Sequence, residues 1–440
     1  MHMTRRFFLK TSGAMAVYCG VAPMQSLGGA AHAVQNAAGT TTTAGKTLVV
    51  IFLRGGIDGL SLIVPHGDPA YNDLRRSLRI PRPGQEDGAL DLDGYFSLNP
   101  RASALMPLFD QRLAVAAQAV GYEHNTRSHF EEQDRWETGV IGNTIGADGW
   151  LNRHLLTSQG HGPVRAISLG STLPRILRGD AAAYAVRGLD DLGLPLPDAG
   201  GADVAAALEH AYADDARGQR SHARELVHQA GRSTLEGIRV IQQVAAEDYT
   251  PAAQYPDSGL GRQLRTAARL IKANIGLEVL EVDYGGWDTH NNQGSGVQGN
   301  YNNKVQQLAD ALAAFAADLG ERLDDTLVLT LSDFGRTARE NGTRGTDHGW
   351  ANAMMAIGGP VAAAPNGTNN ARPQTNLNQR RPVLTDWPGL GADQLWQNRD
   401  LRHTIDFRDV LAEVVGSHLG NNNLSRVLPD REFRPVGLIA

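Results

Sequence analysis

The chain has 440 residues, 41 % of them apolar and 20 % charged, which excludes a mostly disordered, collagenous or polytopic membrane protein and leaves ample chain for a large core. With 41 basic and 47 acidic residues the net charge is −6, so no basic excess drives nucleic-acid binding. Its single cysteine, Cys19, excludes a disulfide framework, a thiolate-held iron–sulfur cluster and a cysteine zinc site, so any metal must be held by oxygen or imidazole.

Residues 1–33 read as an export signal. Thr4-Arg5-Arg6-Phe7-Phe8-Leu9-Lys10 precedes a mostly apolar run, Ala14 to Ala22, and small residues close at Ala31-His32-Ala33. Basic start, short apolar middle and A-x-A end describe a cleavable signal, and the run is too short for a membrane span. The paired arginines followed by Phe and Leu resemble the twin-arginine type, which implies the twin-arginine translocation machinery as a partner and a periplasmic or extracellular destination. Cys19 lies inside this segment, behind a Tyr18 too bulky for a lipoprotein site. Residues 34–45, rich in Gly, Ala and Thr, read as a flexible leader, and residues 46–440 as one large domain.

Leu48 to Leu53 is a continuous apolar, β-branched run that ends in Arg54-Gly55-Gly56, the pattern of a strand buried on both faces. A short helix is predicted near Ala102 to Asp110, then a second such strand over Leu113 to Val120. Residues 201–247 read as a charged helical insertion. A helix from Leu260 to Asn274 precedes a strand over Leu277 to Val282, and a long helix from Asn302 to Leu319 precedes a strand over Thr326 to Leu331. Ala353 to Ile357 makes a fifth strand, residues 360–400 a long loop, and Thr404 to Leu419 a last helix. Helices alternating with fully apolar strands predict an α/β fold, a mostly parallel central sheet with helices on both faces.

In such sheets ligands bind beyond the carboxyl ends of the strands. The polar clusters lie there: Gly56-Ile57-Asp58-Gly59, His124 to His129, Gly286-Trp287-Asp288-Thr289-His290, Ser332-Asp333-Phe334-Gly335-Arg336, and Thr346-Asp347-His348-Gly349 before the fifth strand. Asp58 serves equally as a turn residue or a ligand. Ser128 opens a capping-box pattern, Ser128-His129-Phe130-Glu131, and a hydroxyl at a helix N-terminus also suits a nucleophile. Thr126 competes with it, and Arg127 can clamp an anionic oxygen or form a surface ion pair. Asp288, His290, Asp333 and His348 are metal-ligand candidates beside Asp58; His124, His129 and Asp347 are candidates for the layer behind them. The set suits zinc, manganese, calcium or magnesium, as one or two ions.

Arg54-Gly-Gly-Ile-Asp-Gly-Leu60, Arg127-Ser-His-Phe-Glu-Glu-Gln-Asp134, Gly286-Trp-Asp-Thr-His290, Ser332-Asp-Phe-Gly-Arg-Thr337 and Asp347-His-Gly349 together resemble the domain of unknown function 1501 family of exported bacterial proteins. That family is similar to the alkaline phosphatase/sulfatase superfamily, whose order of site residues is matched by Asp58, Ser128 or Thr126, Asp288 with His290, Asp333 and His348. The resemblance implies an alkaline-phosphatase-like three-layer sandwich and an exported, metal-dependent hydrolase acting on a small phosphate or sulfate ester through a hydroxyl nucleophile. Two departures stand out: Phe334 occupies the position of a usual metal-binding His, and the Asp288–His290 spacing is short. The alternative is a non-catalytic exported protein of the same fold that binds an anion, a glycan or a partner. An exported oxidoreductase rests on the signal alone, without a dinucleotide fingerprint.

Overall fold

The computed structural model describes residues 45–144, 146–160, 162–189, 222–361, 382–429 and 431–439, with residues 222–230 described as helical backbone only. The strands are β1 (Thr47–Phe52), β2 (Ile63–Val64), β3 (Leu90–Asp91), β4 (Ser97–Leu98), β5 (Ala114–Gly121), β6 (Ala166–Ser168), β7 (Tyr184–Ala185), β8 (Val279–Asp283), β9 (Thr326–Leu331), β10 (Asn352–Ile357), β11 (Val383–Leu384) and β12 (Ile405–Asp406). The main helices are α1 (His129–Thr138), α2 (Trp150–Thr157), α3 (His222–Ala246), α4 (Gly259–Lys272), α5 (Asn300–Leu319) and α6 (Phe407–Glu413). The large sheet runs β11-β5-β10-β9-β1-β8-β6-β7, with β12 also on β5, while β2, β4 and β3 form a small antiparallel sheet of their own. Within the large sheet every pairing is parallel except those of β10, which runs against β5 and β9.

Alternation along β1 explains the layers, because successive side chains leave a strand on opposite faces. Val49, Ile51 and Leu53 pack with Leu264 and Ile271 of α4 and with Leu308, Leu312 and Phe315 of α5. Leu48, Val50 and Phe52 pack with Trp136 of α1, Trp150 and Leu151 of α2, and Val410 and Leu411 of α6. Each such side chain contributes roughly 1.5–3 kcal/mol when fully buried, so both faces need a helical cover. In α5 the apolar positions Val305, Leu308, Leu312, Phe315 and Leu319 recur at three and four residues, one stripe toward the sheet.

The five apolar runs are all strands of this sheet. The short β6, β7, β11 and β12 carry no pattern long enough to read. Segment 404–419 is a strand-to-helix passage: Ile405–Asp406 is extended and Asp406 caps α6 by accepting from the Arg408 N–H. It is not the last helix, since Leu424–Val427 adds a further turn. Segments 1–33, 34–44, 201–221 and 362–381 lie outside the described residues. Among the described residues, no helix is long and apolar enough to cross a membrane.

After α6 the chain makes a π-turn, Val414–His418, which seats His418 at 0 % exposure with Nε2 donating to the Thr47 carbonyl at 3.0 Å. Burial lowers its pKa from 6.5 to about 4, so the folded protein holds the ring neutral while the unfolded chain protonates it first. This contribution is complete above pH 6.5 and lost as pH falls toward 4. Urea unfolding across that window is expected to show wild type losing about 3 kcal/mol more than His418→Leu.

Candidate metal centre

Register brings the clusters to one edge. Phe52 at the end of β1 lies beside Asp283 of β8 and Leu331 of β9, so the loops after these three strands emerge together. β10 runs the other way, which is why the segment before it, not after it, reaches the same edge. Backbone bonds lock it there: Gly335 N donates to Trp350 O and Gly349 N to Gly335 O, both at 2.9 Å. The approach needs glycine. A Cβ on Gly335 would collide with the Ala351 carbonyl, and one on Gly349 with the backbone of Arg336.

Three imidazoles converge on Asp288. His290 Nε2 and His348 Nε2 lie 3.0 and 3.2 Å from Asp288 Oδ1, and His129 Nε2 lies 3.6 Å from Oδ2. Each ring is held from behind through Nδ1: His129 by Asp333 Oδ2 at 2.5 Å, His290 by Asp347 Oδ1 at 2.9 Å, and His348 by the Arg127 carbonyl at 2.9 Å. A carbonyl or carboxylate can only accept, so each Nδ1 carries the hydrogen. In a neutral ring the Nε2 lone pair then points at the carboxylate, a repulsive contact that a cation or added protons must relieve. His129 Nε2 is buried and has no hydrogen-bond partner. His129, Asp288 and His348 each offer a ligand atom within 4.8 Å of the others. Imidazole nitrogens with outer acceptors, plus one carboxylate, fit a divalent ion of the zinc or manganese kind.

The surroundings tune the charges. The hydrogen bond that His129 donates to Asp333 chiefly raises the His129 pKa, whereas burial chiefly lowers that of His348. Burial works to raise Asp288, but the hydrogen bond and charge of Arg336 outweigh it and hold the group ionised. Arg336 is almost wholly buried and donates to the carbonyls of Gly56, Trp287 and Thr346 as well as to Asp288 Oδ1 at 2.6 Å. Phe334, 0 % exposed, lies 4.6 Å from the His129 ring in a stacked contact and 4.7 Å from His348. It packs two of the imidazoles in place.

Of the expected metal ligands, Asp288, His290 and His348 come together as neighbours. Asp333 stands one layer back: its Oδ1 accepts from Gly55 and Gly56 N–H, and its Oδ2 faces His129 and Gln133. Asp58 is not brought to the group. It is bound bidentately by Arg75, at 2.5 and 2.9 Å, and accepts from Ser61 and Gln293, so its oxygens are committed to a buried ion pair.

The Thr126 hydroxyl donates to the buried Glu132 at 2.8 Å, a bond that holds the loop. The Arg127 guanidinium pairs with Asp400 at 2.6 Å and Gln397 at 3.0 Å; the residue serves the site through its carbonyl and not as a clamp. Ser128 is the N-cap position of α1, directly before His129, but its side chain makes no capping bond, and the expected box with Glu131 is replaced by Glu132 reaching back to Thr126 N–H. His129 moves forward from the outer layer into the group. Its position at the helix start, directly after Ser128, is the only local signal it carries.

A mostly parallel α/β sheet with a His/carboxylate group at the carboxyl ends of its strands defines the class of protein. The chain belongs to the family described as Protein of unknown function (DUF1501), whose model matches residues 147–428 and so includes Asp288, His290, Asp333 and His348. No curated protein sequence matches it. Among solved structures it is similar to the PH0037 protein from Pyrococcus horikoshii, at 12 % identity over 90 % of this chain and 100 % of that one, with a TM-score of 0.23.

Proposed function

We propose that the chain holds a single divalent metal ion at His129, Asp288 and His348, with His290 alongside, and uses it to hydrolyse phosphate or sulfate esters as an exported alkaline-phosphatase-like enzyme. The observation that carries this reading is the convergence of three outward-anchored imidazoles on one carboxylate. A divalent ion there would polarise the ester oxygen and ease ionisation of a hydroxyl or water. Asp333, Asp347 and the Arg127 carbonyl keep the rings in the tautomer that presents Nε2. Phe334 keeps water from the back of two rings and, standing where the superfamily has a His, favours one ion over two. Ser128, at the start of α1 and free of a capping bond, is the nucleophile of this proposal, with the free N–H groups of the first turn facing developing negative charge.

Purified protein is expected to contain about one equivalent of metal and to turn over members of a phosphate- and sulfate-ester panel. Ser128→Ala is expected to lower turnover by at least about 100-fold while retaining metal. Unchanged turnover in that variant removes the nucleophile assignment. Absence of both metal and turnover in wild type favours the binding-protein reading, which Phe334 also suits. Export belongs to the same proposal: changing both Arg5 and Arg6 to Lys is expected to leave the protein in the cytoplasmic fraction, and unaltered export would remove the twin-arginine reading.

A further inference from the structure

We infer that a cleft beside α1 binds a saccharide ring, placing the sugar part of a phosphorylated or sulfated substrate next to the metal group. The cleft measures about 300 Å³. One face of α1 forms its wall: Phe130, Gln133, Asp134 and Glu137 all line it, at the three- and four-residue spacing of a single helical face. Gln133 is shared with the metal centre, since its amide donates to Asp333 Oδ2 at 3.1 Å while its carbonyl accepts from Arg54 at 3.1 Å. A group held in the cleft therefore sits one side chain away from His129.

The charges in the cleft are already matched. Arg54 binds Asp283 at 2.5 Å and Glu137 at 2.8 Å, and Arg175 lies 3.6 Å from Asp134. Arg178 adds a third guanidinium against these three carboxylates, so the walls hold no net charge that would select a free anion or cation. What the walls offer is donors and acceptors alternating at short range, which vicinal hydroxyls satisfy because each both donates and accepts. Phe130 supplies the other half of the recognition. It is 90 % exposed, the most exposed large apolar side chain among the described residues, and it stands at this cleft. A phenyl ring left in water beside a polar cleft suits the C–H face of a pyranose, whose rim meets the polar walls.

The statement that this ring belongs to a substrate rests on the hydrolase reading; the binding itself does not. Saturation-transfer NMR on the full chain tests it, with the methyl glycosides of glucose, galactose and mannose as probes and benzyl alcohol as an aromatic control. Ring protons of at least one glycoside are expected to receive saturation from wild type, severalfold less from Phe130→Ala, and equally from Asp288→Ala. Phe130 is exposed, so its replacement leaves the fold intact. No transfer to any glycoside, transfer to benzyl alcohol alone, or an unaltered signal in Phe130→Ala would overturn the inference. Glycoside binding without ester turnover would instead count against the hydrolase reading alone.

Discussion

Replacing Arg75 with methionine is expected to destabilise the protein by about 3–5 kcal/mol, because it strands a buried carboxylate. Both side chains of the Arg75–Asp58 pair are essentially free of solvent, at 0 % and 1 % exposure. Arg75 spends its other donors on the carbonyls of Ala338 and Thr337, and Asp58 accepts from Ser61 and Gln293. The pair therefore ties the turn after β1 to the segment that follows Arg336. Burial works to raise the Asp58 pKa, but Arg75 outweighs it and holds the group below its ordinary value. The stability this supplies is present above the unfolded carboxyl pKa and is lost as pH falls through the lowered folded value. Arg75→Met removes that support and moves the Asp58 titration upward.

Urea unfolding at neutral pH reads the loss as a lower midpoint with an unchanged slope. Asp58→Asn leaves the cation uncompensated and is expected to cost a similar amount. The double variant Asp58→Leu/Arg75→Met, which buries no charge, is expected to recover most of the loss. A metal ligand would behave otherwise: Asp58 variants would lose metal while unfolding normally. That outcome would return Asp58 to the site.

The contrast between Asp58 and His129 shows how far a single sequence carries. The five strands were legible because a strand buried on both faces is a nearly continuous apolar run, broken here only by isolated polar residues such as Gln118, Glu281 and Thr330. The strands of two or three residues, β6, β7, β11 and β12, have no room for a pattern, and pairing direction leaves no mark on a run such as Ala353 to Ile357. That direction is what delivers Asp347 and His348 to the metal edge. Asp58 in a Gly-rich turn at a strand end has the same local signature as a ligand. Only the fold reveals that Arg75, seventeen positions on in the chain, consumes it. The reverse holds for His129, whose neighbours Asp288 and Asp333 are far away in sequence, so nothing near it distinguishes a helix-start histidine from a ligand. The place of Phe334 as a packing surface against His129 and His348 is visible only in the tertiary structure.

Asp288→Ala is expected to weaken metal binding by more than about 100-fold, beyond the roughly 10–100-fold typical of losing an outer partner. Asp288 is the one group that all three Nε2 atoms face, and it also takes Arg336 Nη2. Removing it leaves the buried Arg336 guanidinium beside three Nε2 atoms with no carboxylate on their inner side, since Asp333 and Asp347 lie behind the rings at Nδ1, and that inner face repels a dication. Asp333→Asn is the graded comparison. An amide oxygen can still accept from His129 Nδ1, but the negative charge behind the ring disappears and the amide NH2 then meets the Gly55 and Gly56 N–H donors, whose bonds to that side chain are lost; the loss of affinity should fall within the outer-partner range. Calorimetric titration with zinc measures both variants. Thermal unfolding supplies a second reading, since a ligand at a hundred times its Kd stabilises the folded state by about 2.7 kcal/mol. The zinc-dependent rise in melting temperature should be full in wild type, reduced in Asp333→Asn and absent in Asp288→Ala. An unchanged rise in Asp288→Ala would mean that zinc is held elsewhere, and that the three imidazoles around Asp288 form a hydrogen-bonded charge cluster instead of a metal centre.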